Sequence, residues 1–558
     1  MSRKAIWFLV LAIGLIPSLA CGLFAEPKPV SQSAPAGKVM LATVPVEKPV
    51  VVEKEVVKEV EKIKEVPKEV VVEKEKVVEK VVVQTVVVEK PPVPPGATPA
   101  GPSPQDMFFQ NYGVNPFMDT EDDHLSTFAM DVDTGSYTLA RQYINDGNLP
   151  PKDAVRVEEF VNYFTQDYAY PPEGQAFAIH VDSAHFPFAE SERYRMMRVG
   201  IQGYAVPPEK RKDMSLTFVI DVSGSMADGG RLELVKQALQ LLVQQLRPSD
   251  SVGIVVYTDD ARVVLEHTSG AQKETILSAI RPLQPESSTN AEAGLKLGYE
   301  QANGAFKAGA INRVILCSDG VANVGQTGPG SIWEQIKGYA SEGITLAAVG
   351  VGMGNYNDVL LEQLADNGDG FYVYVDTLAE ARRVFVDNLT STLQDIALDA
   401  KVQVDFNPEV VVRYRLIGFE NRAVADQDFR VDTVKAAAIG AGHKVTALYE
   451  IRLQPDAAGR VATVYMRWKD PDTQEVAEIN RKFNTSDMAA SSNAAPPRFQ
   501  LDVVVSECAE ILRESYWARG STLVGVLEQA EVVGRLLPND ADVVEFVELV
   551  RKASKLGK

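Results

Sequence analysis

Residues 217–229 read TFVIDVSGSMADG, and this stretch decides the fold. An apolar run, Phe218-Val219-Ile220, stops at Asp221, and Ser223 and Ser225 follow at alternate positions around Gly224. An ordinary turn needs one side-chain oxygen, not three in step. Downstream, apolar strands at 216–220, 252–257, 262–267, 313–317, 345–350 and 370–375 alternate with amphipathic segments near 231–246, 271–281, 291–305, 331–341, 357–365 and 378–394. That alternation predicts an α/β fold, a doubly wound, mainly parallel sheet with helices on both faces. The Asp259-Asp260 turn is too short for a crossover, so the second and third strands are expected to pair as an antiparallel hairpin at one edge.

In such a sheet, ligands bind at the carboxyl ends of the strands, where the strand order reverses. Alternate residues of an extended loop point the same way, so Asp221, Ser223 and Ser225 offer hard oxygens to one side. Such a set suits a small hard cation, Mg²⁺ or Mn²⁺. Two further oxygen-bearing strand ends are available, Ser288-Thr289-Asn290 and Ser318-Asp319-Gly320. For Asp221 alone, a helix cap or Asx-turn is the plain alternative.

Together, D-x-S-x-S, a later Thr and a later strand-ending S-D-G resemble the metal-ion-dependent adhesion site of von Willebrand factor type A domains. The resemblance implies that Ser223, Ser225 and Thr289 contact the metal directly, while Asp221 and Asp319 bind it directly or through water. It also implies a coordination position left open for an acidic side chain of a partner protein. The blocks at 126–164 and 354–358, and the β-plus-helical region at the C-terminus, resemble a bacterial subgroup of these proteins. Pro285-Glu286-Ser287-Ser288 stands ahead of Thr289, where that family commonly has glycines.

The chain has 558 residues, enough for about two to four domains. Its formal net charge of −20 argues against nucleic acid as a partner, because phosphate binding needs a basic surface. Three cysteines, Cys21, Cys317 and Cys508, are too few for a disulfide framework. Arg3 and Lys4 precede an apolar run from Ala5 to Ala20, the pattern of a secretory signal. Ser18-Leu19-Ala20-Cys21-Gly22 resembles a lipoprotein box with Cys21 as the lipidated residue; ordinary signal-peptidase cleavage fits the same residues. The chain is therefore expected to be exported and lipid-anchored at the outer face of the cell membrane, or secreted if Cys21 is not lipidated.

Residues 46–90 alternate valine with glutamate and lysine, and 91–104 are rich in proline. With the residues after the signal this reads as a stalk of about 85 residues, which if extended at ~3.3 Å each reaches on the order of 280 Å from an anchor. A solvated spacer is the expectation, with a coiled coil through Val56, Val60 and Ile63 as the alternative. The organisation expected is a signal peptide at 1–21, a stalk at 22–109, an α+β domain at 110–212, the type A domain at 213–395, an antiparallel β domain at 396–488 and a helical region at 498–558. The β segments on either side of the type A domain are expected to associate, because neither alone has enough strands for a sandwich.

Enzymatic readings find little support. Asp133-Thr134-Gly135-Ser136 spells an aspartic-protease tetrapeptide, but that chemistry needs two such carboxylates. The five histidines form no triad context, and no G-x-S-x-G elbow surrounds Ser223 or Ser225. His180 and His185 are a candidate metal pair. The loop at 325–330 lacks the lysine of a phosphate-binding loop. The expected function is a surface protein-binding module, for adhesion or assembly, and not an enzyme. The alternative is a scaffolding lipoprotein whose metal site captures nothing.

Overall fold

The computed structural model describes residues 58–66, 69–77, 109–189, 191–286, 289–320, 329–352 and 358–557. Residues up to Gly96 form one unit and those from Ala97 onward another. In the first, β1 (Lys58–Val66) and β2 (Glu69–Val77) pair antiparallel, so this part of the stalk is neither a coiled coil nor a featureless spacer. The register places Glu59 opposite Lys76, Glu61 opposite Lys74 and Lys62 opposite Glu73. Opposite charges across a ladder, together with the strand preference of β-branched valine, favour the hairpin. Cys21 and the proline-rich segment lie outside the described residues, as do 354–357. Among the described residues, no helix is long and apolar enough to cross a membrane.

The second unit begins with β3 (Met118–Asp119), β4 (Leu125–Ala129), α1 (Gly135–Asn145), α2 (Val157–Tyr163), β5 (Phe177–His185) and β6 (Tyr194–Gly203). The chain then enters the α/β region. Its strands are β7 (Met214–Asp221), β8 (Ser251–Tyr257), β9 (Ala261–Ser269), β10 (Ile311–Ser318), β11 (Ile344–Val351) and β12 (Phe371–Val375). Its helices are α3 (Arg231–Gln245), α4 (Lys273–Ile280), α5 (Ala291–Gly304), α6 (Pro329–Ser341), α7 (Asp358–Asn367), α8 (Leu378–Arg382) and α9 (Leu389–Leu393). The sheet order is β12-β11-β10-β7-β8-β9, parallel except for the edge hairpin β8–β9, as the short Asp259-Asp260 turn demands. The chain runs outward from β7 in one direction and resumes at β10 in the other, so the order reverses between β7 and β10. Both faces are covered, and all eight residues of β7 and of β10 are buried. Helix α5 lies close on β7 and β8: a Cβ added at Gly298 would sit 2.3 Å from Val219 Cγ2, and one at Gly294 would sit 2.5 Å from the Tyr257 ring. These two glycines set the height of α5, whose N-terminus carries Thr289.

After α9 the chain returns to strands: β13 (Asp395–Phe406), β14 (Val411–Ile417), β15 (Ala437–Gly440), β16 (Lys444–Leu453), β17 (Arg460–Lys469) and β18 (Val476–Asn484). The expected association of the flanking segments is present. One sheet runs β3-β14-β16-β6-β5, and the other runs β15-β13-β17-β18 with β4 added to β13. Each sheet mixes strands from before and after the α/β region, which is therefore an insertion into a two-sheet sandwich. Phe128, Val404, Phe406, Tyr414, Tyr449 and Val464 fill the space between the sheets. Helices α10 (Pro497–Leu512), α11 (Leu523–Leu536) and α12 (Ala541–Leu556) pack with α1 and α2 through Tyr137, Phe160, Phe164, Val504, Cys508 and Phe546.

Buried charges join the parts. Arg422, between β14 and β15, donates to Asp131 at 2.9 Å, Asp366 at 2.9 Å, and Asp133 and Glu362 at 3.3 Å. Asp133 is thus part of a structural ion network. The two candidate metal histidines are separated: successive strand residues point to opposite faces, and five positions put His180 and His185 on different sides of β5. His180 Nε2 lies 2.9 Å from the Ala169 carbonyl.

One buried carboxyl makes the stability of this unit pH-dependent. Glu158 is 2% exposed; burial, with Glu420 nearby, pushes its carboxyl up to about 8. A raised carboxyl binds more protons in the folded than in the unfolded chain. Its contribution is full at acid pH and is lost as pH rises from the unfolded value near 4.3 through about 8. Glu158→Gln is expected to flatten the fall in stability between pH 5 and 8, by on the order of 1–3 kcal/mol, measured by urea unfolding across that range.

Candidate metal and ligand site

Asp221 ends β7, Ser318 ends β10 and Asp319 follows it, on the two sides of the point where the strand order reverses. Both carboxylates are fully buried, at 0% exposure. Asp221 is held by both oxygens. Oδ1 accepts the Ser223 backbone N–H at 2.8 Å. Oδ2 accepts the Ser318 hydroxyl at 3.1 Å and the Tyr257 hydroxyl at 3.2 Å. Burial pushes the Asp221 carboxyl up to about 6; Asp319 adds to the rise, and hydrogen bonds from Ser223 and Ser318 oppose it.

The loop after β7 turns back so that the Ser223 and Ser225 hydroxyls lie 3.1 Å apart. The loop ahead of Thr289 is stitched to it: the Glu286 N–H donates to the Val222 carbonyl at 2.6 Å, and a Cβ at Gly224 would lie 3.3 Å from the Glu286 carbonyl. Asn290 caps α5, its side chain accepting from the Ala293 N–H at 3.1 Å, and Thr289 stands just before it, half-buried. Among the described residues the Thr289 side chain makes no hydrogen bond. The Glu286 carboxylate turns outward to Arg262 at the edge hairpin.

The structure thus brings Asp221, Ser223 and Ser225 into one bonded cluster. Thr289 stands three residues after the Glu286 tie, with no direct contact to the cluster among the described residues, and Asp319 is linked to the loop after β7 by an arginine that the sequence did not single out. Arg231, the first residue of α3, is 7% exposed. Its Nη1 donates to Asp319 Oδ2 at 2.8 Å and to the Ser225 carbonyl at 3.0 Å. Gly352, after β11, makes room for it. The φ of Gly352 is +80°, and a Cβ there would lie 2.1 Å from Arg231 Nε. A basic residue opening the helix after D-x-S-x-S is a usable signal, because its reach covers the neighbouring strand end.

The donor set fits a small hard cation. Adjacent ligands of an octahedral ion at about 2.1 Å stand ~3.0 Å apart, close to the 3.1 Å between the two serine hydroxyls. Among the described residues no group of three or more His, Cys, Asp or Glu side chains could hold a metal. Any ion here would rest on hydroxyls with two carboxylates behind them. Gly352→Ala must displace Arg231 from the Asp319 carboxylate and strain the backbone. It is expected to lower stability by about 1–3 kcal/mol, read from thermal unfolding.

Three segments match family models. Residues 215–388 match the von Willebrand factor type A domain, 103–197 a von Willebrand factor model, and 391–556 the C-terminal model of the uncharacterized protein YfbK. YfbK of Escherichia coli K12 is 38% identical over 399 residues, 67% of this chain and 69% of YfbK. Human inter-alpha-trypsin inhibitor heavy chain H3 is 30% identical over 227 residues, 39% of this chain and only 23% of that protein. A solved von Willebrand factor type A protein from Catenulispora acidiphila aligns over 67% of this chain and 89% of its own, at 16% identity and a TM-score of 0.40. A type A domain marks the chain as a protein-interaction or adhesion module. The chain belongs to the family of von Willebrand factor type A proteins that includes YfbK.

Proposed function

We propose that the chain is a membrane-anchored surface module, for adhesion or assembly, that captures an acidic side chain of a partner protein through Mg²⁺ or Mn²⁺. The observation that carries this reading is the pair of serine hydroxyls 3.1 Å apart at the end of β7, beside two buried carboxylates. Ser223, Ser225 and Thr289 hold the ion, and Asp221 and Asp319 hold it directly or through water. Both Asp221 oxygens already accept protein hydrogen bonds, which favours the water-mediated role. Bound there, the ion supplies positive charge for a partner carboxylate. The chain's own residues orient the hydroxyls, and Arg231 holds Asp319 in place. Cys21 supplies the lipid anchor and the stalk the reach. No catalytic step belongs to this reading.

One observation favours a second reading. Arg231 already gives Asp319 a positive partner at 2.8 Å. A scaffold whose site captures nothing would rest on that internal cation alone.

Metal titration and capture separate the two. Under the first reading, Mg²⁺ at ten times its dissociation constant adds about 1.4 kcal/mol of stability, seen as a rise in thermal midpoint. Partner recovery from native membranes falls with EDTA and with Asp319→Ala. A midpoint indifferent to Mg²⁺ and Mn²⁺, with identical recovery in all conditions, would leave the scaffold reading standing.

A further inference from the structure

The sheet β3-β14-β16-β6-β5 has one face in the sandwich core and the other under the C-terminal helices. On the helix-covered face Arg415 of β14 is neutralised twice, by Glu450 at 3.2 Å and by Glu510 of α10 at 3.0 Å. Two positions outward on the same face stands Arg413. It is directly opposite Arg452 of β16, which is directly opposite Tyr194 of β6. Side chains in that relation lie about 4.5–5.5 Å apart at Cβ, and like charges so placed repel.

Glu450 attracts Arg413 at a distance, but neither arginine has a direct carboxylate partner among the described residues. Among the described residues Arg413 and Arg452 form no ion pair with any carboxylate, and the Nε of each is buried without an acceptor. Among the described residues the side chain of Arg413 donates to the Tyr194 hydroxyl alone, at 2.6 Å, and that of Arg452 makes no hydrogen bond. Asp119 faces Arg413 from the short edge strand β3 but makes no ion pair there. The nearest inboard carboxylate, Glu450, is taken by Arg415.

Aromatic rings hold the two guanidinium groups. Arg413 Cζ lies 4.9 Å from the Phe117 ring centre and 5.9 Å from that of Tyr194, and Arg452 Cζ lies 5.9 Å from Tyr194. Phe117 is itself fixed edge-on against Trp517, centroids 5.0 Å apart. Stacking orients a guanidinium without neutralising it, leaving its N–H groups for a planar or tetrahedral oxyanion. On a chain of net charge −20, a repelling, pre-oriented arginine pair that is bonded to no carboxylate among the described residues offers a seat for an anion.

We infer that Arg413 and Arg452, held by Phe117, Tyr194 and Trp517, form an oxyanion-binding site. It shares no residue with the candidate metal site and does not depend on its function. The ligand chemistry is a carboxylate or phosphate group, from an acidic side chain or from free phosphate.

The test is calorimetric titration of the full chain with inorganic phosphate and, separately, with glutarate, at matched ionic strength. Saturable binding of either probe is expected, weakened at least tenfold by Arg413→Gln and by Arg452→Gln and unchanged by Arg519→Gln. Binding of phosphate alone assigns the seat to free phosphate; binding of glutarate alone assigns it to acidic side chains; binding of both supports the shared chemistry. Without ligand and at low salt, Arg452→Gln should raise the thermal midpoint by relieving the repulsion, a readout that does not need the probes. Absence of binding by both probes, or equal binding by the Gln variants, would overturn the proposal.

Discussion

Two carboxylates, Asp221 at the end of one strand and Asp319 just past the end of its parallel neighbour, meet in the middle of a sheet and are fully buried. Like charges in a low-dielectric interior repel strongly, and the region is organised around making that placement tolerable. Hydroxyls of Ser318 and Tyr257 converge on Asp221, and Arg231 reaches across to Asp319. Gly352 gives Arg231 its room, and Gly294 and Gly298 let α5 lie close on β7 and β8.

The frame around the α/β region explains how a site on an insertion is held. The chain enters it from β6 and leaves into β13, and both strands belong to the same sandwich. Arg422 fastens α7, the segment at 131–133 and the β14–β15 connection to one guanidinium. Removing it would strand several buried carboxylates, which is costlier than never burying them. A load on the strand-end loops would therefore pass into the sandwich through two covalent connections and a buried ion network.

Much of this was legible in the sequence because it is written locally. The alternation of strand and helix periods, the short Asp259-Asp260 turn and the spaced oxygens of 221–225 each lie within a few residues. The association of the flanking β segments also followed, from the shortage of strands on each side. What was not legible depends on distant partners. β3 and β4 have two and five residues, too few for a period, and exist because β14 and β13, more than 270 positions away, pair with them. Arg231 reads as an ordinary first-turn residue until β10 is laid beside β7. The valine-rich repeat at 58–77 shows apolar spacing compatible with a helix, and cross-strand charge pairing outweighs it. His180 and His185 look like a pair in one dimension and fall on opposite faces of a strand.

In the proposed arrangement the ends of β7 and β10, with the loop before α5, form one cation site. Crystals of the chain soaked in Mn²⁺ and measured at the manganese absorption edge test it most directly. A single strong anomalous peak is expected, bounded by the Ser223, Ser225 and Thr289 hydroxyls, with Asp221 and Asp319 behind it. Well-ordered loops with no anomalous density there, or a peak on other side chains, would contradict it.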